Sequence, residues 1–287
     1  MKYYREIANL YQERLQHLYP EGEIKQLFLM VYAHLTDKKA IYFNLDSVSE
    51  VDAELADSFI AILEDLMTAR PIQHILGVAD FYGMRLQVNE HTLIPRPETE
   101  ELVDYIVKKH QNQKTITLLD VGTGSGCIAI ALKKHLPQAD VFAMDISREA
   151  LEIAKENAKA QQLHIHFIHA DILEWDAFMQ PEQQFDVIVS NPPYITPKEQ
   201  ATMHQNVLFF EPHQALFVEE HTPLLFYDNI SEMGKKHLKP NGMLYFEINQ
   251  YLAKETAGLI EKKGYHTVKV LQDINYVDRM LSAKWYT

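Results

Sequence analysis

Three glycines fall within five residues in the segment Asp120–Gly126, directly after an apolar stretch and before a helix-like one. Glycines at such a turn let the backbone bend tightly and approach a ligand without interference from a Cβ atom. A phosphate-binding loop requires a Lys followed by Ser or Thr after the last glycine, and a dinucleotide-binding loop requires its third glycine where Cys127 stands. The carboxylate of Asp120 would repel a pyrophosphate. It favours a cationic, amino-bearing ligand, such as the methionine part of S-adenosylmethionine.

Two further acids end the next two predicted strands. Asp145 lies where an acidic residue can accept hydrogen bonds from ribose hydroxyls. Asp171 is placed to accept a hydrogen bond from an adenine amino group, while Ile172 packs on the ring. Each acid alone is more often a solvated strand end or a helix cap. Because open sheets bind ligands at the carboxyl ends of their strands, three acids there predict one shared site.

The segment Asn191-Pro192-Pro193-Tyr194 follows another predicted strand. Alone it is typical of a turn, but it is expected at the same sheet edge as the glycines. A planar amide or aromatic amine is a poor nucleophile, because its lone pair is delocalised. The side-chain oxygen of Asn191 and the carbonyl of Pro192 are two acceptors that can fix one such NH₂ group, with the prolines locking the backbone. Tyr194 offers a flat surface for stacking. The segment therefore predicts nitrogen methylation, achieved mainly by positioning.

Alternating strands and helices are predicted after residue 115, which indicates an α/β fold with a mostly parallel sheet covered on both faces. The two final strands are joined by a short non-helical stretch, so one of them is expected to run antiparallel. The predicted strands are Ile116–Val121, Asp140–Asp145, His164–Ala170, Phe185–Ser190, Met243–Ile248, His266–Leu271 and Met280–Trp285. The predicted helices are Cys127–Leu136, Arg148–Gln161, Pro223–Leu238 and Leu252–Lys263.

Three regions are predicted along the chain. Residues 1–71 show helical spacing of apolar side chains and no glycine after Gly22, which indicates a small helical bundle that docks the substrate. Residues 72–95 contain alternating apolar positions around Gly83, which predict a hairpin linker. Residues 96–287 form the α/β domain, and Pro97 is expected to begin its first helix.

Composition limits the remaining possibilities. Lys and Arg number 27 against 40 Asp and Glu, a net charge of −13, which argues against direct nucleic-acid binding. The longest apolar run, about seven residues, is far short of the ~20 that span a bilayer, so no membrane association is expected. A single cysteine fits the reducing cytoplasm. His164, His166 and His169 are more plausible as an exposed strand start than as ligands, so no metal is predicted. The sequence does not indicate the oligomeric state.

Taken together, Asp120–Gly126, Asn191–Tyr194 and the stretch Ile94–Glu100 (Ile-Pro-Arg-Pro-Glu-Thr-Glu) resemble the bacterial protein-(glutamine-N5) methyltransferases that modify peptide chain release factors. The resemblance implies a seven-stranded, Rossmann-like class I methyltransferase sheet with one antiparallel strand, and S-adenosyl-L-methionine as the cofactor. It implies that the substrate is the glutamine of the Gly-Gly-Gln motif in release factors 1 and 2.

The resemblance, with the acids above, also implies the site residues. The predicted cofactor-binding residues are Asp120, Gly122, Thr123, Gly124, Ser125, Gly126, Asp145, Asp171, Ile172 and Asn191. The predicted catalytic and substrate-binding residues are Asn191, Pro192, Pro193 and Tyr194, with Arg96 and Glu98 also lining the site near the methionine end of the cofactor. For Arg96 and Glu98, an ordinary helix start is the alternative.

Two departures from the family pattern concern loop shape. Family members often have a glycine-rich turn directly after the position of Leu216, but residues 217–222 contain no glycine, and Asn249 stands where glycine is usual. Three other functions stay open from the sequence: glutamine methylation of a ribosomal protein, amino methylation of a nucleic acid, and a cofactor-binding protein without catalysis. The Asn-Pro-Pro-Tyr segment is shared with the nucleic-acid enzymes, whereas the Ile-Pro-Arg-Pro-Glu-Thr-Glu stretch is specific to the glutamine enzymes.

Overall fold

The computed structural model describes residues 2–201 and 203–286, and the chain divides into two compact units. The first unit comprises Met1–Gly77 and His204–Phe210, and the second comprises Val78–Met203 and Glu211–Thr287. The helices are α1 (Tyr4–Leu15), α2 (Glu21–Thr36), α3 (Phe43–Asp46), α4 (Ala53–Met67), α5 (Ile72–Leu76), α6 (Pro97–His110), α7 (Cys127–His135), α8 (Arg148–Ala160), α9 (Pro197–Gln200), α10 (Gln205–Phe210), α11 (His213–Leu216), α12 (Leu225–His237) and α13 (Ala253–Lys262). The strands are β1 (Val78–Phe81), β2 (Met84–Gln87), β3 (Ile116–Val121), β4 (Ala139–Asp145), β5 (His166–His169), β6 (Phe185–Ser190), β7 (Leu238–Glu247), β8 (His266–Gln272) and β9 (Asp278–Lys284).

The first unit is a helical bundle built on the apolar faces of α1, α2 and α4. The ring of Phe28 stacks on Phe59 at 5.8 Å between centroids, and the hydroxyl of Tyr11 donates to the carbonyl of Phe59 at 2.6 Å. Asp52 caps α4 by accepting from the amide of Leu55, which satisfies one of the free N–H groups at the start of the helix. The helices agree with the helical spacing of apolar side chains that the sequence shows over residues 1–71.

The predicted hairpin forms as the antiparallel pair β1–β2 and belongs to the second unit. Its apolar side chains enter a core shared with α6 and the sheet. The buried side chain of Asn157 on α8 hydrogen-bonds both the N–H and the carbonyl of Gln87, and also the carbonyl of Ser125. One side chain thus ties the hairpin, α8 and the glycine segment together.

The main sheet of the second unit has seven strands in the order β5-β4-β3-β6-β7-β9-β8. Strands β3 to β7 pair in parallel, and β9 is antiparallel to both of its neighbours. The prediction of a mostly parallel sheet with one antiparallel strand is therefore confirmed. Helices lie against two cores, one on each face, so the central strands are almost entirely buried.

The connection from β6 to α12 contains the short helices α9, α10 and α11, which the sequence analysis did not predict. Among residues 2–201 and 203–286, no helix is long and apolar enough to cross a membrane. Within the same ranges, no group of His, Cys, Asp and Glu is arranged to hold a metal ion. His166 instead contacts Asp140 at 2.9 Å, and His169 contacts the carbonyl of Ile146.

Candidate active site

The glycine segment forms a tight loop between β3 and α7. Gly122, Gly124 and Gly126 all have positive φ, at 73°, 54° and 82°, a conformation that other residues adopt only with strain. A Cβ atom at Gly126 would lie 3.0 Å from side-chain atoms of Ala154 and Ile130. At Gly122 and Gly124 it would meet nothing within 4 Å. The third glycine thus permits close packing of α7 against α8, and the first two leave their outer side open to a ligand.

Asp120 lies beneath this loop and is buried. Its Oδ2 accepts from the hydroxyl of Thr123 at 2.6 Å and from the amide of Ala129 at 3.2 Å. Burial raises the pKa of the Asp120 carboxyl to about 7, because a charged group loses its hydration there. In the described part of the chain, Oδ1 of Asp120 and Oγ of Ser125 are buried without a hydrogen-bond partner. Asp120 therefore stabilises the loop and retains polar capacity that the protein itself does not satisfy.

A cavity of about 500 Å³ opens at the carboxyl edge of the sheet, next to the loop. This volume is in the range of small-molecule sites. The predicted residues that line it are Gly122, Gly124, Asp145, Asp171, Ile172, Asn191, Pro192 and Pro193. Its lining does not include the other predicted residues, which are Asp120, Thr123, Ser125, Gly126, Tyr194, Arg96 and Glu98. The structure thus brings the first group together around one space, and it does not place the second group in the lining of that space.

The two strand-end acids in the cavity are held by backbone amides. Asp145 accepts from Gly124 N at 2.8 Å and Ser147 N at 2.9 Å, and Asp171 accepts from Leu173 N at 2.9 Å. Burial raises the pKa of Asp145, although these hydrogen bonds oppose the shift. A carboxylate offers about four lone-pair directions, so both acids keep acceptor capacity towards the cavity. Acidic side chains beside an open glycine loop fit a ligand with hydroxyl, amino and cationic groups, as S-adenosylmethionine has.

The Asn-Pro-Pro-Tyr corner follows β6 directly. Asn191 Nδ2 donates to the hydroxyl of Thr99 at 3.3 Å, so the NH₂ of this amide is bound to the protein and its oxygen is on the other side. Tyr194 turns its hydroxyl inward to Glu247, 2.9 Å away. Burial, and then the charge of Glu247, raise the pKa of Tyr194 well above its ordinary value. Tyr194 is therefore a neutral hydrogen-bond donor, and its hydrogen bond to Glu247 fixes the position of its ring.

Arg96 and Glu98 occupy the start of α6, whose first residue is Pro97 as predicted. Arg96 Nη2 contacts Glu211 Oε1 at 2.5 Å, and the other oxygen of Glu211 accepts from the amide of Ile94. Glu211 is buried, and the next residue, Pro212, lines the cavity. This ion pair therefore joins the Ile-Pro-Arg-Pro-Glu-Thr-Glu stretch to the segment Glu211-Pro212. Pro212 of this segment forms part of the cavity wall.

Sequence reasoning missed two residues of this site, Thr99 and Glu247. Both are buried, and the hydroxyl of Thr99 donates to Glu247 Oε2 at 2.6 Å. Thr99 is within the stretch Ile94–Glu100 that the sequence analysis identified, and Glu247 is the last residue but one of the predicted strand Met243–Ile248 and the last residue of the observed β7. A carboxylate at the end of a buried strand was the available signal, which had identified Asp145 and Asp171.

Comparison with known proteins gives consistent results. Residues 99–219 match the family model of the methyltransferase small domain. A release factor glutamine methyltransferase of Flavobacterium psychrophilum is 43% identical over 276 residues, which cover 95% of this chain and 96% of that one. Corresponding proteins of Bacteroides thetaiotaomicron and Streptococcus pneumoniae are 42% and 41% identical, over 95% and 84% of this chain and 96% and 85% of their own.

Solved structures support the same fold at lower identity. A methyltransferase from Pyrococcus furiosus has a TM-score of 0.52 at 19% identity, covering 72% of this chain and 91% of its own. A 16S rRNA N2 G1207 methyltransferase of T. thermophilus, solved with AdoMet and guanosine, has a TM-score of 0.51 at 18% identity, covering 72% of this chain and 49% of its own.

The seven-stranded sheet and its glycine-edged cavity define a class I methyltransferase that uses S-adenosylmethionine. The sequence identity of 43% and 42% over nearly the whole chain narrows this class to one family of methyltransferases. The chain belongs to the release factor glutamine methyltransferase family, so the family predicted from the three motifs is confirmed.

Proposed function

We propose that this protein transfers a methyl group from S-adenosylmethionine to the side-chain amide nitrogen of the glutamine in the Gly-Gly-Gln motif of release factors 1 and 2. The observation that carries the proposal is the orientation of Asn191, whose NH₂ is bound by Thr99 while its oxygen is left for another donor. Asn191 itself lines a cavity whose other lining residues suit the cofactor. The similar proteins are named release factor glutamine methyltransferases, which supports a release factor as the protein substrate.

The residues that hold the cofactor follow from the cavity. Gly122 and Gly124 would let the backbone approach the methionine part, Asp145 would accept hydrogen bonds from the ribose, and Asp171 with Ile172 would receive the adenine; all five residues line the cavity. When bound, S-adenosylmethionine supplies a methyl group on a positively charged sulfur, which is a strong electrophile. The acidic lining favours that charge.

The corner after β6 prepares the nucleophile. Oδ1 of Asn191 and the carbonyl of Pro192 accept the two hydrogens of the substrate NH₂, which fixes the plane of the amide and exposes its lone pair to the methyl group. Both acceptors also polarise the N–H bonds. Once the nitrogen has gained the methyl group it is acidic, and it releases a proton to water. No side chain has to act as a strong base.

A protein substrate suits the first unit of the chain. The side chains of Ile41, Leu45 and Val48 are 71%, 73% and 62% exposed in one short segment. Clustered exposed apolar side chains are typical of protein-binding surfaces, so we assign to this unit a role in docking the release factor. The net charge of −13 disfavours a nucleic-acid substrate.

The direct test is mass spectrometry of purified release factors 1 and 2 after incubation with the protein and S-adenosylmethionine. The proposal expects one added methyl group on the peptide that contains the Gly-Gly-Gln motif, with the fragment ions placing it on the glutamine. A release factor with this glutamine replaced by alanine is the matched control and should stay unmodified. Methylation of a ribosomal protein in place of the release factors would establish the alternative substrate.

A further inference from the structure

Glu247 is a buried carboxylate at the end of β7, 1% exposed and outside the lining of the cavity. Its Oε2 accepts from the hydroxyl of Thr99 at 2.6 Å, and its Oε1 accepts from the hydroxyl of Tyr194 at 2.9 Å. Burying a carboxylate is unfavourable unless its oxygens are hydrogen-bonded. One of its side-chain donors, Tyr194, belongs to the Asn191–Tyr194 corner that is proposed to hold the substrate amide. The other donor, Thr99, contacts Asn191 of that corner.

The hydroxyl of Thr99 determines the direction of the next hydrogen bond. A hydroxyl has one proton to donate, and Thr99 gives it to Glu247, so its oxygen acts only as an acceptor towards Asn191. Asn191 must then present its NH₂ to Thr99, as the 3.3 Å contact shows. If the amide turned by half a rotation, its NH₂ would face the NH₂ of the substrate, and two donors cannot bind each other.

Arg279 supports the charge on Glu247. Burial raises the pKa of Glu247, and the hydrogen bonds from Thr99 and Tyr194, followed by the positive charge of Arg279, oppose that shift. Arg279 is itself held by Asp273, with Nε 3.4 Å from Oδ2. The ionised state of Glu247, which accepts at both oxygens, thus has a cation nearby.

We propose that Thr99 and Glu247 are positioning residues that form a one-directional hydrogen-bond chain from Asn191 through Thr99 to Glu247, and that this chain decides which atom of Asn191 faces the substrate amide. The same carboxylate fixes the hydroxyl of Tyr194. The inference rests on the proposed function through the role of Asn191. Neither Thr99 nor Glu247 has to touch the substrate.

Two substitutions of Thr99 separate this role from packing. Thr99→Val keeps the shape of the side chain and removes the hydroxyl, whereas Thr99→Ser keeps the hydroxyl. With purified release factor as substrate, we expect Thr99→Val to lower kcat about tenfold, the effect of losing about one hydrogen bond. KM and the dissociation constant of S-adenosylmethionine should stay within about twofold, and Thr99→Ser should restore kcat. A Thr99→Val protein with unchanged kcat, or a Thr99→Ser protein as slow as Thr99→Val, would overturn the proposal.

A double-mutant cycle tests whether Thr99 acts through Asn191. In an Asn191→Ala background the orientation of that amide no longer exists, so adding Thr99→Val should lower the residual kcat no further. A second, full tenfold loss would mean that Thr99 works by another route, which contradicts the chain.

A spectroscopic readout decides the proposal without turnover. In ¹⁵N-labelled protein, the side-chain NH₂ signals of Asn191 are identified by their loss in Asn191→Ala. We expect these signals to move in Thr99→Val and Glu247→Gln, and to stay close to their original positions in Thr99→Ser. Unmoved signals in Thr99→Val would refute the chain even if the protein methylates release factors. Absence of methyl transfer by the unaltered protein, with the signals moving as expected, would refute the proposed substrate alone.

Discussion

At the scale of single residues, the site depends on which polar atoms already form hydrogen bonds within the protein. The NH₂ of Asn191 binds Thr99, and both carboxylate oxygens of Asp145 accept backbone N–H groups. These bonds hold the acceptors still, so that a ligand meets groups that need little reorganisation. Asp120 differs from these residues, because one of its oxygens accepts from Thr123 and Ala129 in the loop and the other has no hydrogen-bond partner in the described part of the chain.

Replacing Asn191 with alanine tests the proposed amide clamp. Because the substrate NH₂ would lose its main acceptor, we expect kcat to fall about 100-fold or more, the usual cost of removing one positioning hydrogen bond in catalysis. The cofactor keeps its glycine loop and both acids, so its dissociation constant should change by less than about fivefold. Steady-state kinetics and calorimetric titration measure the two effects, and an unchanged kcat would show that the clamp is assigned to the wrong residue.

Asp120 is expected to make stability depend on pH. Its pKa is about 7 in the folded protein against an ordinary 3.8, so the folded state keeps a proton that the unfolded state releases. Stability from this group is therefore present below about pH 4 and is lost as pH rises to about 7, by at most about 4 kcal/mol. Asp120→Asn removes the titration. Urea unfolding at pH 5 and pH 8 should show a smaller loss for the variant, and equal losses would contradict the prediction.

At the scale of elements, strand ends and helix starts bring the site together. The loop after β3, the ends of β4 and β6, and the start of α6 converge on one edge of the sheet. Local sequence signals determine where the helices begin. Examples are Pro97 at the first position of α6 and Ser147 as the N-cap of α8. Of the strands that form this edge, β3 and β6 are almost entirely buried.

The third glycine of the loop has a packing role that a pair of substitutions can measure. Gly126→Ala would place a Cβ 3.0 Å from Ala154 and Ile130 at a positive φ, so we expect a loss of about 2–4 kcal/mol in the free energy of unfolding. Gly258→Ala is the matched control, because its Cβ would meet nothing within 4 Å in α13. It should stabilise the protein by about 0.5–1 kcal/mol. Equal effects in urea unfolding would show that the packing of α7 on α8 does not require a glycine.

The sequence predicted the long elements well and the short ones poorly, for a physical reason. Strand β3 is long enough to be recognised as an almost continuous apolar run, and helix α8 is long enough to show a helical period of apolar residues. Helices α9 to α11 have four to six residues, about one turn, which is too short for a period. The motifs located the cavity, but Thr99 and Glu247 escaped because their function depends on a contact between residues 148 positions apart.

At the scale of the whole molecule, the chain combines an α/β unit that contains the cavity with a helical unit that includes His204–Phe210 from the later sequence. No periodicity predicts that a seven-residue segment after β6 belongs to the first unit. The two units have separate apolar cores, and the exposed side chains of Ile41 and Leu45 are in the first.

The docking role of the first unit is tested by Ile41→Ser combined with Leu45→Ser. These positions are 71% and 73% exposed, so unfolding should change by less than about 0.5 kcal/mol each. We expect KM for an intact release factor to rise about tenfold, and KM for a short Gly-Gly-Gln peptide to stay constant, since the peptide is too short to use a second surface. Met67→Ser, at a 41% exposed position of the same unit, is the control. A parallel rise for protein and peptide would argue against docking there.

The negative net charge of the protein predicts which macromolecules accept the methyl group. With labelled S-adenosylmethionine, total RNA and DNA should incorporate no label above a protein-free control, because a net charge of −13 opposes binding to phosphates. Release factor in the same buffer should be labelled. Label in RNA that survives protease treatment would contradict the protein-substrate assignment.

The central claim, that the corner after β6 holds a glutamine amide towards the methyl donor, is tested most directly by a crystal structure. The sample would contain S-adenosylhomocysteine and a release factor, or its Gly-Gly-Gln peptide. We predict that the glutamine nitrogen lies about 3 Å from both Oδ1 of Asn191 and the carbonyl oxygen of Pro192, with the sulfur of the bound product in the cavity facing it. A glutamine amide bound elsewhere, or facing the NH₂ of Asn191, would contradict the account.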